Sequence, residues 1–137
     1  SGVQVSSGYD LGGNRISMVY PGGRTVSAIL DGLGRRQSIS LSGRPLAEYA
    51  YQGVNRVVSA DFANSTRAEL AYNGVGEPAH RIWQSSTGTL LAGFSYDRDG
   101  SGRVMELDDL FSGGRRGYVY NAEGWLAAVD ETAVLPP

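Results

Sequence analysis

The sequence predicts an all-β chain of tandem antiparallel β-hairpins, repeating every 21–24 residues in a strongly twisted, curled or spiral sheet. Three observations carry this expectation. A Tyr/Leu-Asp/Asn-x-x-Gly string recurs in register in five copies, with a sixth that reads Tyr-Gln-x-x-Asn. A second turn-like string stands eight residues before nearly every copy. Between the turns, apolar residues alternate with polar ones at period two, and no window of adequate length shows a helical period.

The copies are Tyr9-Asp10-Leu11-Gly12-Gly13, Leu30-Asp31-Gly32-Leu33-Gly34, Tyr51-Gln52-Gly53-Val54-Asn55, Tyr72-Asn73-Gly74-Val75-Gly76, Tyr96-Asp97-Arg98-Asp99-Gly100 and Tyr120-Asn121-Ala122-Glu123-Gly124. Their first residues stand at 9, 30, 51, 72, 96 and 120, so the steps are 21, 21, 21, 24 and 24. A fixed period in this range marks a repeat architecture. Each string has the chemistry of a type I turn with a bulge: Asp or Asn opens it by bonding the backbone ahead, and Gly closes it in the left-handed region. The one departure at the closing position is Asn55, the residue that best tolerates positive φ after glycine.

The second turns are centred on Gly22, Gly43, Asn64, Gly88 and Ser112. Each repeat therefore reads strand, turn, strand, turn, with the longer repeats expected to carry longer hairpin tips at 84–88 and 108–114. Nine and eleven residues after the anchors stand mostly apolar side chains, such as Met18, Tyr20, Ile39, Leu41, Ala60 and Phe62. The residues between them are mostly polar. A lone hairpin is marginal in water, so the units must stack, lining Tyr9, Leu30, Tyr51, Tyr72, Tyr96 and Tyr120 into a ladder. That ladder is read as core, with a ligand-stacking platform as the alternative.

Composition narrows the function classes. A chain of 137 residues is one domain's worth. Net charge −2 with no basic stripe gives no case for nucleic acid. All 12 cations are arginine and there is no cysteine, which excludes disulfides, thiolate metal sites and a cysteine nucleophile. No apolar run approaches the roughly 20 residues of a membrane helix. Counting back eight from Tyr9 reaches Ser1, and counting forward sixteen from Tyr120 reaches Pro136. The expectation is a single repeat domain over 1–137 that is a piece of a longer array, with outer strands open to self-association.

Leu30-Asp31-Gly32-Leu33-Gly34-Arg35 and Tyr51-Gln52-Gly53-Val54-Asn55-Arg56 add an arginine after the turn, and Tyr96-Asp97-Arg98-Asp99-Gly100 keeps its core. In this the chain resembles the YD-repeat, or Rhs-repeat, family over residues 9–130. The resemblance implies β-hairpins wound into a spiral sheet that can form a hollow shell. In bacterial Rhs and toxin-complex proteins that shell encloses a toxic C-terminal segment, and teneurins use a similar one in cell adhesion. The implied partners are the rest of a longer repeat protein or its C-terminal cargo, and the implied setting is bacterial, secreted or cell-surface. The family's core region after the repeats, with its aspartate-dependent self-cleavage, has no counterpart in these residues.

Few residues suggest chemistry beyond the repeat. Asp97, Asp99, Ser101 and Asp108 have the spacing of a calcium loop. The turn register already accounts for Asp97 and Gly100, so no metal is the expectation. His80 is the only histidine, with no second ligand type beside it. Asp108-Asp109 beside Arg115-Arg116 reads as surface pairing in preference to a glycosidase carboxylate pair. Trp83 falls on the apolar register. Trp125, directly after the last turn glycine, is less constrained and is the candidate for stacking on a sugar. Asn64-Ser65-Thr66 is a glycosylation sequon that marks an exposed turn. The leading expectation is a structural, non-catalytic repeat segment without a cofactor. A glycan- or partner-binding module is the alternative, and a hydrolase has least support.

Overall fold

The computed structural model describes residues 3–132 and is all-β, so the turns expected at Ser1 and Pro136 lie outside the described residues. Twelve strands stand in one open sheet in strict sequence order, each next to the strand that precedes it. The contacts divide the chain into two compact units, Ser1–Arg67 and Ala68–Pro137.

The first unit holds β1 (Ser6–Tyr9), β2 (Arg15–Val19), β3 (Thr25–Leu30), β4 (Arg36–Leu41), β5 (Arg44–Gln52) and β6 (Arg56–Phe62). The second is built from β7 (Arg67–Tyr72, all but its first residue), β8 (Pro78–Gln84), β9 (Leu90–Arg98), β10 (Val104–Asp109), β11 (Arg115–Tyr120) and β12 (Leu126–Thr132). One register rule recurs in both. The residue before a first-type turn pairs with the sixth residue after it, and its predecessor pairs two further on, across a bulge. The pairs are Tyr9↔Arg15 and Gly8↔Ser17, Leu30↔Arg36 and Ile29↔Ser38, Tyr51↔Val57 and Ala50↔Ser59, and Tyr120↔Leu126 and Val119↔Ala128.

The first turns follow from side-chain geometry. Asp31 Oδ1 accepts from the backbone N–H groups of Leu33 (2.9 Å) and Arg35 (3.0 Å). The Gly34 N–H closes on Asp31 O at 2.9 Å. Gly34 sits at φ +76°, where a Cβ would meet the following carbonyl. Asp10–Gly13, Asn73–Gly76 and Asn121–Gly124 repeat this arrangement, with the three glycines at φ +80°, +90° and +84°.

Two expected turns are displaced. In the fifth repeat the turn is Asp99-Gly100-Ser101-Gly102, two residues later than the Asp97–Gly100 assignment. Gly102 N donates to Asp99 O at 3.0 Å and φ is +80° at Gly102, while Gly100 is not in the left-handed region. Arg98↔Val104 and Asp97↔Glu106 then satisfy the register rule, so Arg98 and not Tyr96 is the fifth anchor. The reason lies in the residue four positions beyond each aspartate: Asp99 has Arg103 in reach of its carboxylate, whereas Asp97 would have only Ser101. The shift lengthens β9, so the extra residues are not all in the preceding hairpin tip. In the third repeat pairing continues to Gln52↔Arg56, leaving a three-residue loop. Gln52 is a methylene too long to bond its own turn as Asp does. The loop's glycine, Gly53, takes the positive φ (+61°), and Asn55 does not.

The two faces differ as period two requires. In the first unit Met18↔Val26↔Leu41, Ile39↔Ala47↔Phe62 and Tyr49↔Ala60 run across the apolar face, and in the second Trp83↔Ala92 and Tyr96↔Leu107 do. The opposite faces carry Ser17↔Ser27↔Ser40 in the first unit and His80↔Ser95↔Asp108↔Arg115 in the second. Among the described residues only Ala47, Ala60 and Ala68 are buried hydrophobics, and no large side chain is fully buried.

Candidate functional site

The residues the repeat keeps rewriting meet in a staple between neighbouring hairpins. Asp31 Oδ2 takes Arg35 Nε at 2.7 Å and Nη2 at 2.6 Å. Arg35 Nη1 then reaches the next turn, donating to Gly53 O (2.6 Å) and Val54 O (2.8 Å). Its guanidinium lies 4.4 Å from the centroid of the Tyr51 ring, and the Tyr51 hydroxyl donates back to Arg36 O at 2.8 Å. The second unit contains the same device. Asp99 holds Arg103 Nε at 2.7 Å, Arg103 lies 4.9 Å from the Tyr120 ring, and Tyr120 OH donates to Val104 O at 2.9 Å. The charged donors of Arg35 and Arg103 hold the Asp31 and Asp99 carboxyls below their ordinary range.

Between Tyr72 and Arg98 the staple is rebuilt with inverted charge. Glu77 occupies the arginine position and accepts from Asn73 Nδ2 at 3.0 Å. Arg98, at the anchor position, places Nε 3.7 Å from Glu77 Oε2 and Nη2 3.5 Å from Pro78 O, the carbonyl equivalent to Arg36 O and Val104 O. Its Nη1 donates to Gly102 O at 2.8 Å. Sequence reasoning anchored on Tyr96 missed this exchange. The signal was present in Asp99-x-x-Gly102-Arg103, which repeats Asp31-x-x-Gly34-Arg35.

The calcium candidates do not converge. Asp97 accepts from the N–H of Arg98 at 2.9 Å, Ser101 N donates to Asp99 Oδ1 at 2.9 Å, and Asp108 holds Arg115 Nε at 2.7 Å from within β10. Among the described residues no group of three or more His, Cys, Asp or Glu could hold a metal ion. His80, Ser95 and Asp108 do come together as cross-strand neighbours, which their spacing in sequence did not show. Their order is wrong for acyl transfer: Ser95 stands in the middle and its hydroxyl donates to Asp108 Oδ2 at 3.3 Å, where a triad needs the imidazole between hydroxyl and carboxylate. Asp109 caps the β10–β11 tip through the N–H groups of Phe111 and Ser112, and the Ser112 hydrogen bonds lower its pKa. As adjacent residues of β10, Asp108 and Asp109 face opposite sides of the sheet, opposite Ser95 and Phe94 respectively.

Trp83 lies on the apolar face opposite Ala92, 5.7 Å from the Arg81 guanidinium. Trp125 is 73% exposed, its backbone N–H donating to Asn121 Oδ1 at 2.8 Å. It occupies the turn position that Arg35 and Arg103 fill in their repeats. Asn64 is exposed, its Oδ1 accepting from Thr66 Oγ1 at 2.7 Å. A groove of about 810 Å³ opens on the apolar face of the first unit, lined by Tyr9, Leu30, Tyr49 and Tyr51 together with Arg15 and Arg36.

No family model matches the chain, and no curated protein matches it. Solved structures do. A crystal structure of TcdB2-TccC3-TEV superposes with a TM-score of 0.83 at 14% identity, over 93% of this chain and 7% of that one. TcdB2-TccC3 without its hypervariable C-terminal region gives 0.83 at 14% identity, over 93% and 7%. The Tc holotoxin pore of Photorhabdus luminescens gives 0.71 at 12% identity, over 94% and 9%. The chain thus spans less than a tenth of the length of the structures it resembles, and at such identities the likeness establishes a shared fold.

Proposed function

We propose that this chain is a YD/Rhs-type wall segment: a non-catalytic β scaffold that encloses or displays a polypeptide in a longer parent protein. One observation carries the reading. The side chains that recur with the period are spent on joining one hairpin to the next, in the Arg35–Tyr51, Glu77–Arg98 and Arg103–Tyr120 staples. A scaffold needs its repeated residues for continuity, whereas an enzyme needs convergent ones. An apolar face with no large side chain fully buried among the described residues, and the fold shared with Tc-complex chains, support the same reading. Implied with it are a bacterial parent and a secreted or surface setting.

The test is protease protection in the parent protein. The enclosed segment is expected to resist digestion in the wild type and to become cleavable when Tyr51→Ala and Tyr120→Ala loosen the staples. Equal cleavage of the segment in the wild type and the variant would refute enclosure. A second reading, a glycan-binding surface, draws on the exposed Trp125 ring. Saturable retention on a glycan array, lost in Trp125→Ala with the fold intact, would favour it over the scaffold.

A further inference from the structure

We infer that the groove of the first unit receives an extended acidic polypeptide segment carrying carboxylates three residues apart. Charge is the first reason. Residues 1–67 hold seven arginines against four carboxylates, a formal +3, and residues 68–137 hold five against ten, a formal −5. The groove lining contains no Asp or Glu, and of its three arginines Arg35 is neutralised by Asp31. Arg15 and Arg36 are exposed and form no ion pair among the described residues. Guanidinium forks of this kind bind carboxylates bidentately.

Geometry is the second reason. Arg15 pairs with Tyr9 and Arg36 with Leu30, so both occupy one register position on one face, two strands apart. Through Gly8↔Ser17↔Ser27 the second hairpin is staggered by two residues relative to the first, so the two positions lie about 10 Å apart across the strands and roughly 12 Å apart in all. A segment in the polyproline II conformation returns to the same face every third residue, after about 9 Å. Side chains at i and i+3 of a segment running obliquely across the strands therefore come within reach of the two arginines, whose long side chains span the remaining few ångströms. The intervening residues lie against Tyr9, 60% exposed, and Tyr49 and Tyr51, which offer flat, apolar contact at low entropic cost.

The inference rests on the wall reading for the polypeptide nature of the occupant. Its test uses the folded chain and the peptide Ac-(Glu-Pro-Pro)4-NH2, titrated calorimetrically at low salt. Expected is saturable binding that Arg15→Ala/Arg36→Ala weakens by about tenfold or more, that Arg24→Ala leaves unchanged, and that salt weakens. Circular dichroism of the variants checks that the sheet is intact. Equal binding of Ac-(Lys-Pro-Pro)4-NH2, or no effect of the double substitution, would overturn it. Displacement of the peptide by polygalacturonate at equal affinity would reassign the groove to an anionic glycan. A salt-sensitive dimer abolished by the same substitutions would reassign it to a second copy of the chain. The protease test is read through Tyr51→Ala and Tyr120→Ala with Arg15 and Arg36 unchanged, so a failed titration with protection intact sinks this inference alone.

Discussion

Alanine placed at Gly102 or at Gly100 distinguishes the observed fifth turn from the one two residues earlier. Gly102 has φ +80° and a Cβ there would press on the Glu77 carboxylate, whereas Gly100 lacks positive φ and faces open space. An L-residue in the left-handed region costs roughly 1–2 kcal/mol. Moving Glu77 aside forfeits its 3.0 Å bond to Asn73, about 1 kcal/mol more. Alanine also stiffens the unfolded chain, returning roughly 0.4–1 kcal/mol. Gly102→Ala should therefore destabilise by about 1–2 kcal/mol, and Gly100→Ala should be neutral or stabilising by about 0.5 kcal/mol. For a chain of this size these correspond to a fall of about 4–8 °C and a rise of about 2 °C in Tm, measured by calorimetry. Gly102→Asn, which tolerates positive φ, should recover part of the loss. Equal melting temperatures, or a larger loss at Gly100, would refute the two-residue shift and with it the role of Arg98 as anchor.

The other predictions concern the staples. Tyr51→Phe removes only the hydroxyl bond to Arg36 O and should cost about 1 kcal/mol in urea unfolding, with the ring still under Arg35. A double-mutant cycle between Arg35→Ala and Tyr51→Ala should return a coupling of roughly 0.5–1 kcal/mol; additivity would deny the contact. Because the folded-state pKa values of Asp10, Asp31, Asp99 and Asp109 are lowered, the unfolded chain binds more protons in acid. Their contribution to stability is present above the unfolded aspartate pKa of about 3.9 and is lost as pH falls through the lowered folded values. Asp31→Asn/Asp99→Asn should flatten the stability profile below about pH 4 while leaving its shape near neutrality unchanged.

Local chemistry made the architecture legible. Asp10, Asp31, Asn73 and Asn121 each close a turn with atoms of their own five-residue string, so the chain could be divided into hairpins without knowledge of what stands beside them. Period two likewise assigned Ile39, Tyr49, Ala60 and Phe62 to one face, since pleating alone separates neighbours. The residues misplaced were those where two local solutions compete. Asp97 and Asp99 can each open a turn, and only the reach of Arg103 selects the second. Gln52 resembles Asn in composition yet is too long, which moves the positive φ from Asn55 to Gly53. The groove arginines were not singled out from the chain because 21 residues separate Arg15 from Arg36.

The sequence by itself determined that the chain is β, that it repeats, and where most of its corners fall, because turn bonding and strand alternation are settled within a few residues. Only the tertiary structure decided which side chain of one hairpin meets which of the next. Arg35 on Tyr51, the inverted exchange at Glu77 and Arg98, Ser95 between His80 and Asp108, and Arg15 and Arg36 on one groove all span 13 to 21 residues. Contacts at that range depend on bulge position and cross-strand register, and a slip of two residues preserves every local preference while changing every partner.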